Sequence, residues 1–118
     1  MNSGLNREIE EIAVECSAPG WDGYGANAVT AAAVADARVF AERIDFSRVV
    51  PEVGAEPDGA LTFEWHRSAR LTLSVSVPGS GVLHYAALLG AAKAYGTEPF
   101  VGEVPKIISD LIHRVTAT

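Results

Sequence analysis

Near residue 50 the hydrophobic pattern of this chain changes period. Upstream, apolar residues recur at three- and four-residue spacing; downstream they alternate. A helix brings residues three and four apart onto one face, and a strand brings every second residue onto one face. The chain is therefore helical first and sheet-forming second. Leu61, Phe63 and Trp65 point one way, and Thr62, Glu64 and His66 the other. Leu71, Leu73, Val75 and Val77 alternate in the same manner with Thr72, Ser74 and Ser76. Pro57-Asp58-Gly59 and Pro78-Gly79-Ser80-Gly81 mark turns, because proline presets φ, aspartate bonds nearby backbone and glycine accepts positive φ. Residues 49–55 read as a further strand, placed at an edge by Pro51. Residues 82–89 read as the last strong one. Tight turns between such strands make an antiparallel meander.

Three helices frame this sheet. In residues 4–17, Leu5, Ile9, Ile12, Ala13 and Cys16 form an apolar stripe against a polar face of Arg7, Glu8, Glu10, Glu11 and Glu15. Thr30 caps a second helix over residues 30–44, with Ala33, Ala37, Phe40, Ala41 and Ile44 on one face. Its alanines imply close approach to a neighbouring element. The third helix begins with Pro105 at its first position and carries Ile107, Ile108, Leu111, Ile112 and Val115, with His113 and Arg114 at its end. The stretch from Tyr95 to Phe100 reads as a loop. The expected fold is α+β, ααββββα in order: one antiparallel meander of three to four strands, with two N-terminal helices and one C-terminal helix on one face. Residues 1–118 form a single domain in this reading.

Composition narrows function mainly by exclusion. With fifteen acids against nine bases, the net charge is −6. That disfavours nonspecific attraction to phosphate backbones, so no direct nucleic-acid partner is expected. The one cysteine rules out an intrachain disulfide and a cysteine-rich zinc site. Acidic neighbours give Cys16 no activation as a nucleophile, so it reads as a small buried hydrophobe. The N-terminus has no signal-peptide pattern, and no apolar run is long enough for a membrane span. A cytoplasmic protein without a cofactor is expected.

The most unusual stretch is Pro19 to Ala28, "PGWDGYGANA". Its glycines follow G-x-x-G-x-G spacing after a helix, whereas a dinucleotide fingerprint needs G-x-G-x-x-G after a strand. The Gly-Lys-Ser/Thr of a P-loop is absent. A structural latch accounts for the residue types better. Gly23 and Gly25 accept left-handed dihedrals, Asp22 holds backbone amides, and Trp21 and Tyr24, large apolar bodies with one polar tip each, suit the sealing of a core edge. The alternative is an aromatic knob for a partner.

Glu64 and His66 share a strand face, and His84 joins them if the register allows, which would make a divalent-metal set. Ser80 has glycines at the adjacent positions 79 and 81, whereas a nucleophile elbow needs them two residues to either side of the serine. The Thr62, Glu64, His66, Thr72, Ser74, Ser76 face reads as solvated or as a recognition surface. It shows no interleaved Arg, Lys or exposed aromatic, so single-stranded nucleic acid is not its target.

"GWDGYGA", "PDGALTFEW" and "GTEPFVGEVPKII" together resemble a widespread group of small, mostly uncharacterised bacterial and phage proteins. That group carries W-D-G-x-G-A, P-D-G-x-x-x-x-E-W and G-T-E-P-F-x-G-x-x-P in this order. The likeness spans residues 19–115. Asn27-Ala28 depart from the pattern, where a proline is expected nearby, and this implies a looser loop. The resemblance implies a bacterial or mobile-element origin and an interaction role, with no catalytic residue carried over. The leading expectation is a non-catalytic protein-binding inhibitor that occludes a bacterial nucleic-acid-targeting complex, as anti-CRISPR proteins do. Trp21, Asp22, Tyr24, Glu64, His66, Glu8, Glu11 and Glu15 are its candidate contact residues. An antitoxin-like partner of a small toxin is one alternative, and a small metal-dependent hydrolase using Glu64, His66 and His84 another. A mobile-element assembly protein that self-associates through the sheet edge at residues 51–55 is the last, and a homodimer accordingly stays open.

Overall fold

The computed structural model describes residues 3–44 and 49–117. The order is α1 (Ser3–Glu15), α2 (Ala31–Arg43), β1 (Glu52–Ala55), β2 (Leu61–Ser68), β3 (Leu71–Val77), β4 (Val82–Leu89), β5 (Ala92–Pro99) and α3 (Lys106–Thr116). The strands form one five-stranded sheet in the order β1-β2-β3-β4-β5, antiparallel throughout. The α+β class and the placement of the helices agree with the sequence reading. The strand number does not: five replace three to four, because β5 (Ala92–Pro99) runs through most of the stretch from Tyr95 to Phe100 expected as a loop.

The helices cover one side of the sheet. On that side Val53, Leu61, Phe63, Trp65, Leu73, Val75, Val77, Leu83 and Ala87 are buried together with Leu5, Ile9, Phe40, Ile108, Leu111 and Val115. Each large side chain fully removed from water there contributes about 1.5–3 kcal/mol. Phe40 sets its ring against Phe63 at 4.9 Å and Phe100 at 6.2 Å, so α2, the sheet and the segment after β5 meet at one point. Trp65 is fully buried, yet its indole N–H meets no acceptor among the described residues.

Local chemistry sets the element ends. Thr30 caps α2, its hydroxyl accepting from the Ala33 amide at 3.0 Å. The expected close approach at the α2 alanines is real, and the neighbour is the β3–β4 turn: a side chain on Gly79 would run into the backbone of Ala32 and Ala33. Pro105 sits one residue earlier than expected, at the cap of α3, and its carbonyl accepts from Ser109. Cys16 is buried as expected; burial raises its thiol pKa, and Glu15 adds to the shift.

β1 is an edge strand, as Pro51 implied, but α1 closes that edge. The Glu8 carboxylate accepts from the Val53 amide at 3.2 Å. In an antiparallel strand a given residue's N–H points either to its partner or away. Val53 points away from β2, and Glu8 takes the bond a further strand would need. Self-association through residues 51–55 is therefore obstructed twice, by Pro51 and by Glu8. No helix among the described residues is long and apolar enough to cross a membrane.

Candidate functional site

The "PGWDGYGANA" segment folds as a closed latch. One Asp22 carboxylate oxygen accepts from the Tyr24 amide at 2.8 Å and the Ala26 amide at 3.1 Å. The Gly20 amide donates to the Ala26 carbonyl at 2.6 Å, and the Trp21 indole to the Asn27 carbonyl at 2.7 Å. Gly20, Gly23 and Gly25 all hold positive φ with open space around them, so conformation and not crowding calls for glycine. Asn27 does not loosen the loop. Its amide donates to the Pro57 carbonyl at 2.7 Å, and Thr30 donates to Gly59 at 3.2 Å. The first two sequence motifs thus meet, and Asp58 holds the second turn through the Ala60 amide.

Tyr24 departs from the expected role. It is 93% exposed and seals nothing, because the Asp22 turn between two left-handed glycines swings it outward. Removing the Asp22 carboxylate strands two amides. Asp22→Ala is expected to lower stability by about 1–3 kcal/mol in urea unfolding. Tyr24→Ala should stay within about 0.5 kcal/mol of wild type. Equal effects from the two would mean that the carboxylate does not hold the loop.

The remaining candidate residues lie apart. Glu8 is spent on Val53; Glu10, next to these candidates on α1, pairs with Arg38 at 2.5 Å. Glu11 and Glu15 stay exposed on α1, on the helical side of the molecule. Glu64 and His66 lie on the opposite side, where no helix among the described residues covers the sheet. That bare side has three cross-strand rows. Glu52, Glu64, Ser74, Ala86 and Tyr95 form one; Gly54, Thr62, Ser76, His84 and Thr97 the next; His66, Thr72, Leu88 and Lys93 a third.

His84 does face the same side as Glu64 and His66, but it sits on β4, two strand spacings or roughly 10 Å from β2. Its Nδ1 is engaged by the Thr97 hydroxyl at 2.7 Å. The supposed metal set does not converge. Among the described residues no three His, Cys, Asp or Glu side chains are placed to hold a metal ion. Glu56 stands closer to this row: the Ser76 hydroxyl donates to it at 3.0 Å. Burial raises the Glu56 carboxyl pKa, the Ser76 bond opposes the shift, and weaker effects come from Asp58, upward, and His84, downward.

β5 adds to this face the exposed aromatic and the cation that β2 and β3 do not bring to it. Tyr95 is 80% exposed, and Lys93 stands beside it. With Thr72, Ser74, Ala86 and Leu88 they line a shallow, mostly apolar depression of about 310 Å³. At the other end of the face, Glu52 and Glu64 lie directly opposite each other and take part in no ion pair among the described residues. Like charges so placed destabilise a sheet by up to about 1 kcal/mol. No family model, curated protein or solved structure matches this chain.

Proposed function

We propose that this chain is a non-catalytic binding protein whose bare sheet face docks on a basic surface of a larger bacterial assembly. The row Glu52, Glu64, Ser74, Ala86, Tyr95 carries this reading. It sets opposed carboxylates at one end and an exposed aromatic over an apolar depression at the other, with no helix of the described residues above. Exposed aromatics anchor interfaces, and unmatched charge chooses partners of opposite sign. The net charge of −6 favours the same class of partner. In its most concrete form the reading is inhibition of a nucleic-acid-targeting complex of the CRISPR kind, whose channel for phosphates is basic by necessity. The latch loop serves the fold in this reading, and Tyr24 is peripheral.

The test compares three variants in titrations against a purified effector complex that the wild-type chain binds. Ala86→Arg and Glu64→Lys should each weaken binding tenfold or more, and Tyr24→Ala should leave it intact. Glu64→Lys should also keep or raise stability, by about 0.2–1 kcal/mol, because it replaces a like-charge pair with an opposite one. Binding that survives both face variants and fails in Tyr24→Ala moves the site to the loop and overturns the reading.

A further inference from the structure

The two edges of the sheet are treated differently. β1 is four residues long and closed by Pro51 and Glu8. β5 is eight residues long, pairs with β4 along its whole length and packs against no helix among the described residues. The Phe100 amide donates to the Gly81 carbonyl at 2.8 Å, and these two residues continue the β4–β5 register. Backbone direction alternates along an antiparallel strand. Ala94, Gly96 and Glu98 therefore direct their N–H and C=O groups to β4. Lys93, Tyr95 and Thr97 direct theirs off the sheet, and no side chain among the described residues takes those bonds.

We propose that the β5 edge pairs with the β5 edge of a second copy of this chain, antiparallel, about a two-fold axis at Tyr95. This inference is independent of the function proposed above. The axis sets Tyr95 opposite Tyr95 and Lys93 opposite Thr97, so each outward N–H meets an outward C=O of the other copy. Pro99, which lacks an N–H, ends the ladder on each side.

The side chains favour this register and a second copy as the occupant. Centring the axis on Lys93 would set two ammonium groups opposite each other. Centring it on Gly96 would set Lys93 against Pro99 and lose a bond at each end. The Tyr95 register puts no like charges opposite each other, and an isologous contact of this kind needs self-complementarity. On the helical side the edge carries only Ala94, Gly96 and the end residues, so the second sheet meets no protruding core. The Glu52–Glu64 pair lies at the far edge, so the strongest like charges of the two copies stay apart. An edge ladder buries less than a standard interface, so the dimer is concentration-dependent and not obligate.

Sedimentation equilibrium across a wide concentration range, with amide exchange of the same samples, tests this. A reversible dimer is expected, with protection at Lys93, Tyr95 and Thr97 that rises with concentration. Thr97→Pro removes a backbone donor that β4 does not use, together with the exposed hydroxyl contact to His84, and it should weaken the dimer about tenfold or more with the fold retained. Tyr95→Lys sets like charges across the axis and should do the same. Tyr95→Cys in a Cys16→Ala background should cross-link to a covalent dimer on oxidation, since opposed Cα atoms lie within disulfide reach. A chain that stays monomeric throughout overturns the proposal. So does a dimer indifferent to Thr97→Pro and Tyr95→Lys, and so does edge protection that arises only when a different protein is added.

Discussion

Phe40→Ala should lower stability by about 3–5 kcal/mol, the range for deleting a fully buried aromatic. For a domain of this size that corresponds to a melting temperature roughly 10–20 °C lower. The expectation follows from where the ring sits. Phe40 is fully buried and touches Phe63 of β2 and Phe100 beyond β5. Truncation opens a cavity between three segments distant in sequence. Two of its walls are a sheet and a helix, which cannot collapse independently to fill it. The neighbouring Val39 is 37% exposed, so Val39→Ala should change stability by no more than about 0.5 kcal/mol. Urea unfolding of the two variants side by side checks both the size of the effect and its position on the helix.

Gly79→Ala is the second large effect, expected at about 2–5 kcal/mol. Two terms add. Gly79 has φ +87°, where an L side chain costs about 1–2 kcal/mol. The new Cβ would also lie 2.5 Å from the Ala32 carbonyl carbon and 2.8 Å from the Ala33 Cα. These are backbone atoms in the first turn of α2, so no side chain can rotate away; overpacking of this kind typically costs about 1–3 kcal/mol. Gly81, two residues on, has φ +83° and open space around it. Gly81→Ala should therefore show the dihedral term alone, about 1–2 kcal/mol. A difference near zero between the two variants would mean that the β3–β4 turn does not press on α2.

The helices and β2 to β4 were legible because their apolar residues are periodic, and β1 because Val49, Val50 and Val53 flank an edge-marking Pro51. Leu61, Phe63 and Trp65, or Leu5 and Ile9, leave little choice of face. β5 was hidden because its inward residues are Ala94, Gly96 and Glu98, which carry no strand signature. Gly96 is small for a reason visible only in three dimensions: the Tyr85 ring lies over it, and a Cβ there would come within 2.8 Å of the tyrosine oxygen. One signal was available. Leu89-Gly90-Ala91-Ala92 is a two-residue turn with glycine first, at φ +70°, which suits a type II′ hairpin. Reading that turn would have extended the meander by one strand and moved Tyr95 and Lys93 onto the bare face.

The latch was legible for the converse reason. Asp and Gly at turn spacing have few other uses, and Asp22, Asp58 and Gly59 behave as their chemistry dictates. The exposure of Tyr24 was not legible, since an aromatic beside glycines gives no sign of which way the turn will aim it. Glu8 shows the same gap. It sits among exposed acids in the helical pattern, and only the tertiary structure reveals that it caps the Val53 amide.

The direct test of the central claim is a hydroxyl-radical footprint of the chain alone and in complex with the protein that it binds. If the bare face is what docks, Tyr95, Leu88 and His84 lose reactivity in the complex while Tyr24 and Val14 keep theirs. Reactivity lost at Tyr24 and Trp21, with Tyr95 unchanged, would contradict it.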